Sequence, residues 1–250
     1  MVSQLVKQSE PDIIYPVSDG EPVAETFDHL YVLMTTLMVL RHYLAGQRAT
    51  VLADQFMYYV EGKPNARVAP DVMVIFNVEP GGRDSYKIWE EGEVPSVIFE
   101  MTSKGTEERD RIFKKNLYEQ LGVTEYWLYD PRGEWIEEQL RGYRLRQNVY
   151  EPITDGRSEP LQLRVEIADT IIGFYREDTG EKLLIPDELQ VALEQEAEQR
   201  RQAEERAAVA EAKANRVQRA AVIRLIEMGL EVEQVAEALG LSADEVRAMR

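Results

Sequence analysis

The sequence contains no cysteine. That absence removes disulfide frameworks, thiolate zinc sites, iron–sulfur clusters and cysteine nucleophiles together. Histidine is scarce, at two residues, which points away from zinc. His29 and His42 fall near the two ends of one apolar segment, have no acidic or serine partner at a recognisable spacing, and read as ordinary core or surface histidines. Long apolar runs are also missing. The most apolar stretch, YVLMTTLMVL at 31–40, is too short to span a bilayer, and the start MVSQLVKQSEPD lacks the apolar core of a signal peptide. The expectation is a cytoplasmic protein with no membrane partner.

Basic charge is in deficit, since 29 Lys and Arg face 46 Asp and Glu for a net charge of −17. Non-specific DNA affinity comes mainly from basic side chains that neutralise phosphates, so a uniformly basic nucleic-acid binder is excluded. An acidic chain that meets DNA needs a local basic groove or bound metal cations. The hydrophobic content of 44% and aromatic content of 8% are those of a globular chain rather than a disordered one.

Apolar residues recur at helical spacing from Phe27 to Leu44 (Leu30, Leu33, Met34, Leu37, Met38, Leu44), and Gly46 closes the segment as one amphipathic helix. Runs rich in β-formers follow at 50–60, 68–76, 95–102 and 125–130 and read as strands. Between the last two, GTEERDRIFKKNLYEQLG opens acidic and ends at Gly122, the pattern of a helix with a glycine C-cap. Further short runs (LRGYRL, QLRVEIA, EKLLIP) between Gly133 and Ile185 predict antiparallel strands that complete the domain. The fold class expected is α/β (α+β), a mixed central β-sheet flanked by helices, over residues 1–185.

Residues 186–228 predict one long helix rich in Ala, Glu and Arg. Ala203, Ala207, Ala210, Ala214, Val217 and Ala221 alternate at four- and three-residue spacing, the repeat of a coiled-coil seam, although its alanines offer little area to bury. Residues 229–250 read as a helix-turn-helix-like hairpin with a capping box at Ser242 and Glu245. Only Arg247 and Arg250 stand on its last helix, so packing or homo-oligomerisation is favoured there over DNA reading.

Chemistry is suggested by charged residues set into apolar elements. Asp71 in VAPDVMVIF and Glu100 in PSVIFEMT interrupt otherwise apolar strands, and a buried carboxylate is costly unless paired or metal-bound. Strand alternation places Asp71, Met73 and Ile75 on one face, and Ser96, Ile98, Glu100 and Thr102 on one face of the next run. If the strands are neighbours, the two carboxylates converge as oxygen ligands suited to Mg2+ or Mn2+. On the following helix, stepping about 100° per residue from Asp110 puts Phe113 near 300°, Leu117 near 340°, Leu121 near 20° and Tyr118 near 80°. Lys114, at about 40°, falls inside that apolar face, and Lys115, at about 140°, points to solvent.

The bland readings are a strand-end turn for Asp71 and, for Lys114, an ion pair to Asp110 with its stem along the sheet. Tyr126, Trp127 and Tyr129 read as sheet core.

The blocks YPVSDGEPVAET, VAPDVMVIFNV, RDSYKIWEEG and VIFEMTS, followed by D-x-x-x-K-x-x-x-Y-x-x-L-G-V-x-E-Y-W-L-Y-D-P, resemble the Uma-two family of restriction endonucleases over roughly residues 10–185. The resemblance implies a PD-(D/E)XK nuclease fold and a metal-dependent phosphodiesterase site. Under it, Pro70 and Asp71 match the "PD", Glu100 is the second acidic ligand with the Met101 carbonyl available, and Glu25 is an additional metal ligand. Thr102 stands where the pattern usually has lysine, and Lys114 supplies that lysine from the helix. The implied activity is Mg2+-dependent endonucleolytic cleavage of DNA, with Lys114 orienting the attacking water. Lys104, Arg109, Arg111 and Lys115 are basic helpers for a weak, cation-dependent DNA contact. The alternative is a catalytically inactive nuclease-fold protein that acts as an oligomerising or adaptor module through its C-terminal helix.

Overall fold

The computed structural model describes residues 13–18, 26–102 and 108–250. The chain forms two compact units, Met1–Pro186 and Asp187–Arg250.

In the first unit, helix α1 (Phe27–Tyr43) is started by Thr26, whose side chain accepts a hydrogen bond from the His29 amide. Its buried face carries His29, Val32, Leu33, Thr35, Thr36, Val39 and Leu40. Half of the stripe expected from periodicity lies outside: Leu30, Met34 and Met38 are exposed, whereas Leu33 and Leu44 are buried. This helix is apolar around most of its circumference, so spacing alone does not choose the face. The face chosen carries the β-branched Val32 and Val39, which join the core cluster with the sheet residues Val51, Val72 and Val74.

Two of the expected strands are each split in two. The run at 50–60 becomes β1 (Ala49–Leu52) and β2 (Met57–Tyr58), which belong to different sheets. Asp54, in the left-handed region at φ 51°, turns the chain between them, a conformation that Asp tolerates better than most residues. The run at 68–76 divides at Pro70 into β3 (Arg67–Val68) and β4 (Val72–Phe76), because proline has no amide to give a ladder. Next come β5 (Tyr86–Lys87), the short helix α2 (Ile88–Glu91) and β6 (Val97–Met101). A π-helical turn (Arg109–Lys114) runs directly into α3 (Lys115–Leu121), which Gly122 ends at φ 85°. Strands β7 (Glu125–Tyr129), β8 (Leu140–Arg146), β9 (Val149–Ile153), β10 (Arg157–Ser158), β11 (Leu163–Ala168) and β12 (Ile171–Arg176) complete the unit. The expected EKLLIP strand is reduced to a single bridge between Tyr175 and Lys182.

The central sheet is mixed, with order β1-β4-β6-β7-β8-β9. Its one parallel pair is β6–β7, joined by the crossover that contains the π turn and α3. One face packs on α1 and the small sheet β10-β11-β12 through Val72, Val74, Val97, Phe99 and Trp127. The other face carries Met73, Ile75, Ile98, Tyr126 and Leu128, covered by Tyr118 of α3 and by the small sheet β3-β2-β5. The result is the mixed sheet flanked by helices that the sequence predicts.

The second unit is helical. Helix α4 (Pro186–Glu227) continues for 42 residues, and the positions of the expected alanine seam lie along it almost wholly exposed. Helices α5 (Val232–Leu239) and α6 (Ala243–Met249) fold back on its end and enclose Val222, Val235, Ala236 and Val246. Ser242 and Glu245 make the predicted capping box, with reciprocal bonds of 2.8 and 3.2 Å. Among the described residues no helix is long and apolar enough to cross a membrane.

Candidate active site

Strands β4 and β6 are antiparallel neighbours, with Val72 opposite Phe99 and Met73 opposite Ile98. Extending that register by one residue sets Asp71 opposite Glu100, where both carboxylates meet at one end of the sheet. The Asp71 amide donates to Glu100 Oε2 at 3.4 Å, and the Met101 amide donates to Asp71 Oδ2 at 2.6 Å. Asp71 retains 17% side-chain exposure whereas Glu100 has none, so Asp71 forms the wet edge of the site and Glu100 its floor.

Lys114 closes the site from the helix side. Its ammonium lies 2.7 Å from Glu100 Oε2 and 3.0 Å from Asp110 Oδ1, with all three side chains buried. The Tyr118 hydroxyl donates to Glu100 Oε1 at 2.8 Å, and the Tyr126 hydroxyl donates to the Asp110 carbonyl at 3.0 Å. Asp110, Lys114 and Tyr118 therefore share the face that meets Glu100. The π turn explains how. A wider turn advances less per residue than the roughly 100° of an α-helix, so Asp110 and Lys114 stay nearly stacked. The same underwinding corrects two expectations. Phe113 is 49% exposed rather than buried, and Lys115, expected in solvent, lies half-buried with its ammonium 4.7 Å from the centre of the Tyr143 ring.

Burial dominates the electrostatics of both acids. It pushes the Asp71 carboxyl up to about 7, against the opposing pull of Lys114 and the Met101 amide. Glu100 is pushed to about 8 by burial, and Asp71 and Asp110 add to the shift while Lys114 opposes it. For Lys114 burial favours the neutral amine, but Glu100, Asp110 and Asp71 together outweigh it and hold its pKa above the usual lysine value. Three carboxylates around one ammonium leave a residual charge of about −2 when all are ionised, and one divalent cation matches that residue.

The donor set fits a magnesium-like ion. Each ionised carboxylate oxygen has two lone pairs, so Glu100 Oε1, which accepts from Tyr118, keeps acceptor capacity, and Asp71 retains an exposed edge. Among the described residues no three His, Asp or Glu side chains converge as a closed metal cage. Mg2+ is commonly held by one or two carboxylates with waters and substrate phosphate making up the rest, whereas structural zinc requires four protein ligands. Thr102, two residues beyond Glu100 on the same strand face, is 2% exposed, and its hydroxyl has no hydrogen-bond partner among the described residues. It cannot replace an ammonium, and Lys114 reaches Glu100 from the helix instead. Glu25 and Lys104 lie outside the described residues.

A family model described as "Putative restriction endonuclease", Uma2, matches residues 2–171. The chain belongs to the Uma2 family. Among solved structures, one similar to this Uma2 chain is that of a "putative nuclease belonging to DUF820" from Anabaena variabilis ATCC 29413, at 17% identity and a TM-score of 0.39, covering 57% of this chain and 77% of that one. No curated protein matches.

Three residues of this candidate site are not singled out by the sequence as parts of it. His29, read as an ordinary histidine, is buried with Nε2 3.8 Å from Asp71 Oδ2. No spacing rule connects a helix start to a strand 42 positions later, so only the packing of α1 on the sheet brings them together. Asp110 and Tyr118 carry a weak signal, the i, i+4, i+8 series with Lys114, which spacing alone presents as a salt bridge and an apolar-face aromatic. Two further buried acids belong elsewhere. Glu125 is paired with Arg144 at 2.8 Å, and Asp130 accepts from the amides of Arg132, Gly133, Trp135 and Ile136, so both hold the fold rather than the site.

Proposed function

We propose that this protein is a metal-dependent endonuclease that hydrolyses phosphodiester bonds in DNA. The single observation that carries the reading is the buried constellation of Asp71 and Glu100 on adjacent strands with Lys114 2.7 Å from Glu100, in a chain of a restriction-endonuclease family. Asp71, Glu100 and the Met101 carbonyl would hold Mg2+ or Mn2+, and Glu25 is assigned as an additional ligand. When bound, that ion polarises the scissile phosphate and lowers the pKa of a coordinated water.

The protein groups then have distinct tasks. Lys114, held above its ordinary pKa by three carboxylates, stays an ammonium at neutral pH. It therefore serves as donor rather than base, orienting the attacking water and offsetting negative charge that develops on the phosphate. Asp110 and Glu100 fix its position from two sides, and the Tyr118 hydroxyl fixes the other Glu100 oxygen. In-line attack forms the new P–O bond and breaks the bond to the 3′ oxygen, which takes up the proton lost by the water, so the products are a 5′-phosphate and a 3′-hydroxyl. The acidic surface keeps DNA engagement weak, cation-dependent and salt-sensitive. Homo-oligomerisation is assigned to the exposed seam of α4, and the location to the cytoplasm.

Purified protein incubated with supercoiled plasmid should nick it with Mn2+ or Mg2+ and not with EDTA. Asp71→Asn, Glu100→Gln and Lys114→Met should each lower the rate by at least a hundredfold while remaining folded. Unimpaired cleavage in all three, or no cleavage by the parent with any divalent ion, would remove this reading. The latter outcome would favour the inactive oligomerising module.

A further inference from the structure

The same sheet face that carries Glu100 continues into a second feature. Glu100 pairs in register with Leu128 on β7, and Leu128 with Arg141 on β8. Strands are spaced by about 4.8 Å, so Arg141 stands roughly 10 Å from Glu100 in the same row. Between β8 and the outer side of the π turn lies a cleft of about 390 Å3, lined by Glu108, Arg111, Ile112, Lys115, Arg141 and Tyr143. Three of these six are cations and one is an acid, in a chain whose net charge is −17. The remaining two, Ile112 and Tyr143, are apolar or aromatic, and Ile112 is 57% exposed.

Three of the six, Lys115, Tyr143 and Arg141, are held in place by neighbours. Lys115 caps the Tyr143 ring, which stacks in turn on Tyr126. Arg141 is anchored by Glu138 at 2.5 Å and still lines the cleft. The helix that presents Arg111 and Lys115 outward is the one that presents Asp110 and Lys114 inward. Cleft and carboxylates are thus connected through one turn of backbone.

We propose that this cleft binds the single-stranded stretch of DNA flanking the phosphate to be cut, with Arg111, Lys115 and Arg141 on its phosphates and the exposed Ile112 against a base. An apolar side chain exposed among cations suits an unpaired strand, because a duplex keeps its bases stacked inside and would use the cations alone. The inference rests on the nuclease reading for the identity of the ligand, and it adds where the strand lies and that it is unpaired there.

The test is fluorescence anisotropy of the full chain with a fluorescein-labelled single-stranded oligodeoxynucleotide, and with the same sequence as a duplex, in Ca2+ over a salt series. The parent and Asp71→Asn should bind the single strand more tightly than the duplex. Lys115→Gln with Arg141→Gln should weaken single-strand binding at least tenfold and reduce the slope of log affinity against log salt by about 1.4, at about 0.7 per lost phosphate contact. Arg111→Gln, on an exposed position, is the second variant and should weaken binding in the same direction without touching the tyrosine stack. Unchanged affinity and slope in both variants, or tighter binding of the duplex, would overturn the proposal. The two readings fail separately. Cleavage by the parent with binding indifferent to the cleft variants removes the cleft and leaves the nuclease, whereas cleft-dependent binding without any cleavage does the reverse.

Discussion

The Lys114 ammonium and Glu100 Oε2 are 2.7 Å apart with the glutamate completely buried and the lysine almost so. Removing one partner of such a pair leaves an uncompensated charge in a poorly solvated place, at a cost of about 3–5 kcal/mol. The two partners should not be equivalent here, because Lys114 also faces Asp110 and Asp71. Lys114→Ala strands three acids and should destabilise the metal-free protein by an amount near the upper end of that range. Glu100→Gln removes one acid from an acid-rich cluster and should leave stability nearly unchanged or raise it. Urea denaturation in EDTA measures both, and equal losses in the two variants would contradict the charge count.

Asp71 and Glu100 also set a pH dependence whose sign follows from the direction of their shifts. Both are raised on folding, from 3.8 to about 7 and from 4.5 to about 8. A raised carboxyl binds its proton more tightly in the native state, so its contribution is fully present below the unfolded value and is lost as pH rises through the folded one. Metal-free protein should therefore lose stability progressively as pH rises from about 5 to about 9. Mg2+ prefers the ionised carboxylates and should stabilise the protein more at pH 8.5 than at pH 5.5. Thermal denaturation across that range with EDTA or Mg2+ checks the sign, and a metal effect larger at the acid end would refute it.

Much of this site was legible in the sequence and some of it was not. Two acids in apolar strands with the same alternation define a shared face, and that is how Asp71 and Glu100 come to be opposite each other in the sheet. Lys114 was placed inward by a regular helical wheel that holds only approximately, because the helix is underwound just there. The error fell on its neighbours, Phe113 and Lys115. His29 is beyond the reach of spacing, since it arrives by tertiary packing of a helix whose buried face periodicity predicts only in part. The strand breaks at Asp54 and Pro70 were written in residue type, yet continuous β-forming runs on either side masked them.

Tyr118 holds Glu100 Oε1 by a 2.8 Å hydrogen bond inside the core. Tyr118→Phe keeps the ring against Tyr126 and removes only the donor. The buried oxygen left behind costs about 1–3 kcal/mol, and loss of a donor to the ionised form raises the Glu100 pKa further. Mn2+ binding, followed by calorimetry as a function of pH, should shift its midpoint to higher pH in this variant. An unmoved midpoint would mean that the hydroxyl has no part in preparing the carboxylate.

Gly142 lies opposite Trp127 in the β7–β8 ladder, and a Cβ at that position would meet the indole ring at 2.7 Å. The ring is rigid and 2% exposed, so it cannot swing aside as a flexible chain end could. Gly142→Ala should cost about 1–3 kcal/mol through overpacking. Because Arg141 is the adjacent residue, the variant should also weaken single-strand binding if the cleft is used as proposed. Native-like stability in urea would show that the ladder can open to admit a methyl group.

The seam along α4 is built from Ala203, Ala207, Ala210, Ala214, Val217 and Ala221, with Val217 62% exposed in the single chain. Alanine offers little apolar surface at about 25 cal/mol per Å2, so a two-stranded coil formed here should be weak and concentration-dependent. Glutamate at two seam positions, Ala210→Glu with Val217→Glu, would place like charges against each other across such a coil. Light scattering after size exclusion should show self-association of the parent that rises with concentration and is lost in the double variant. Denaturation of the first unit should be unaffected, since both positions are solvent-exposed on a helix outside its core. Association that survives the two glutamates would move the oligomer contact away from this seam.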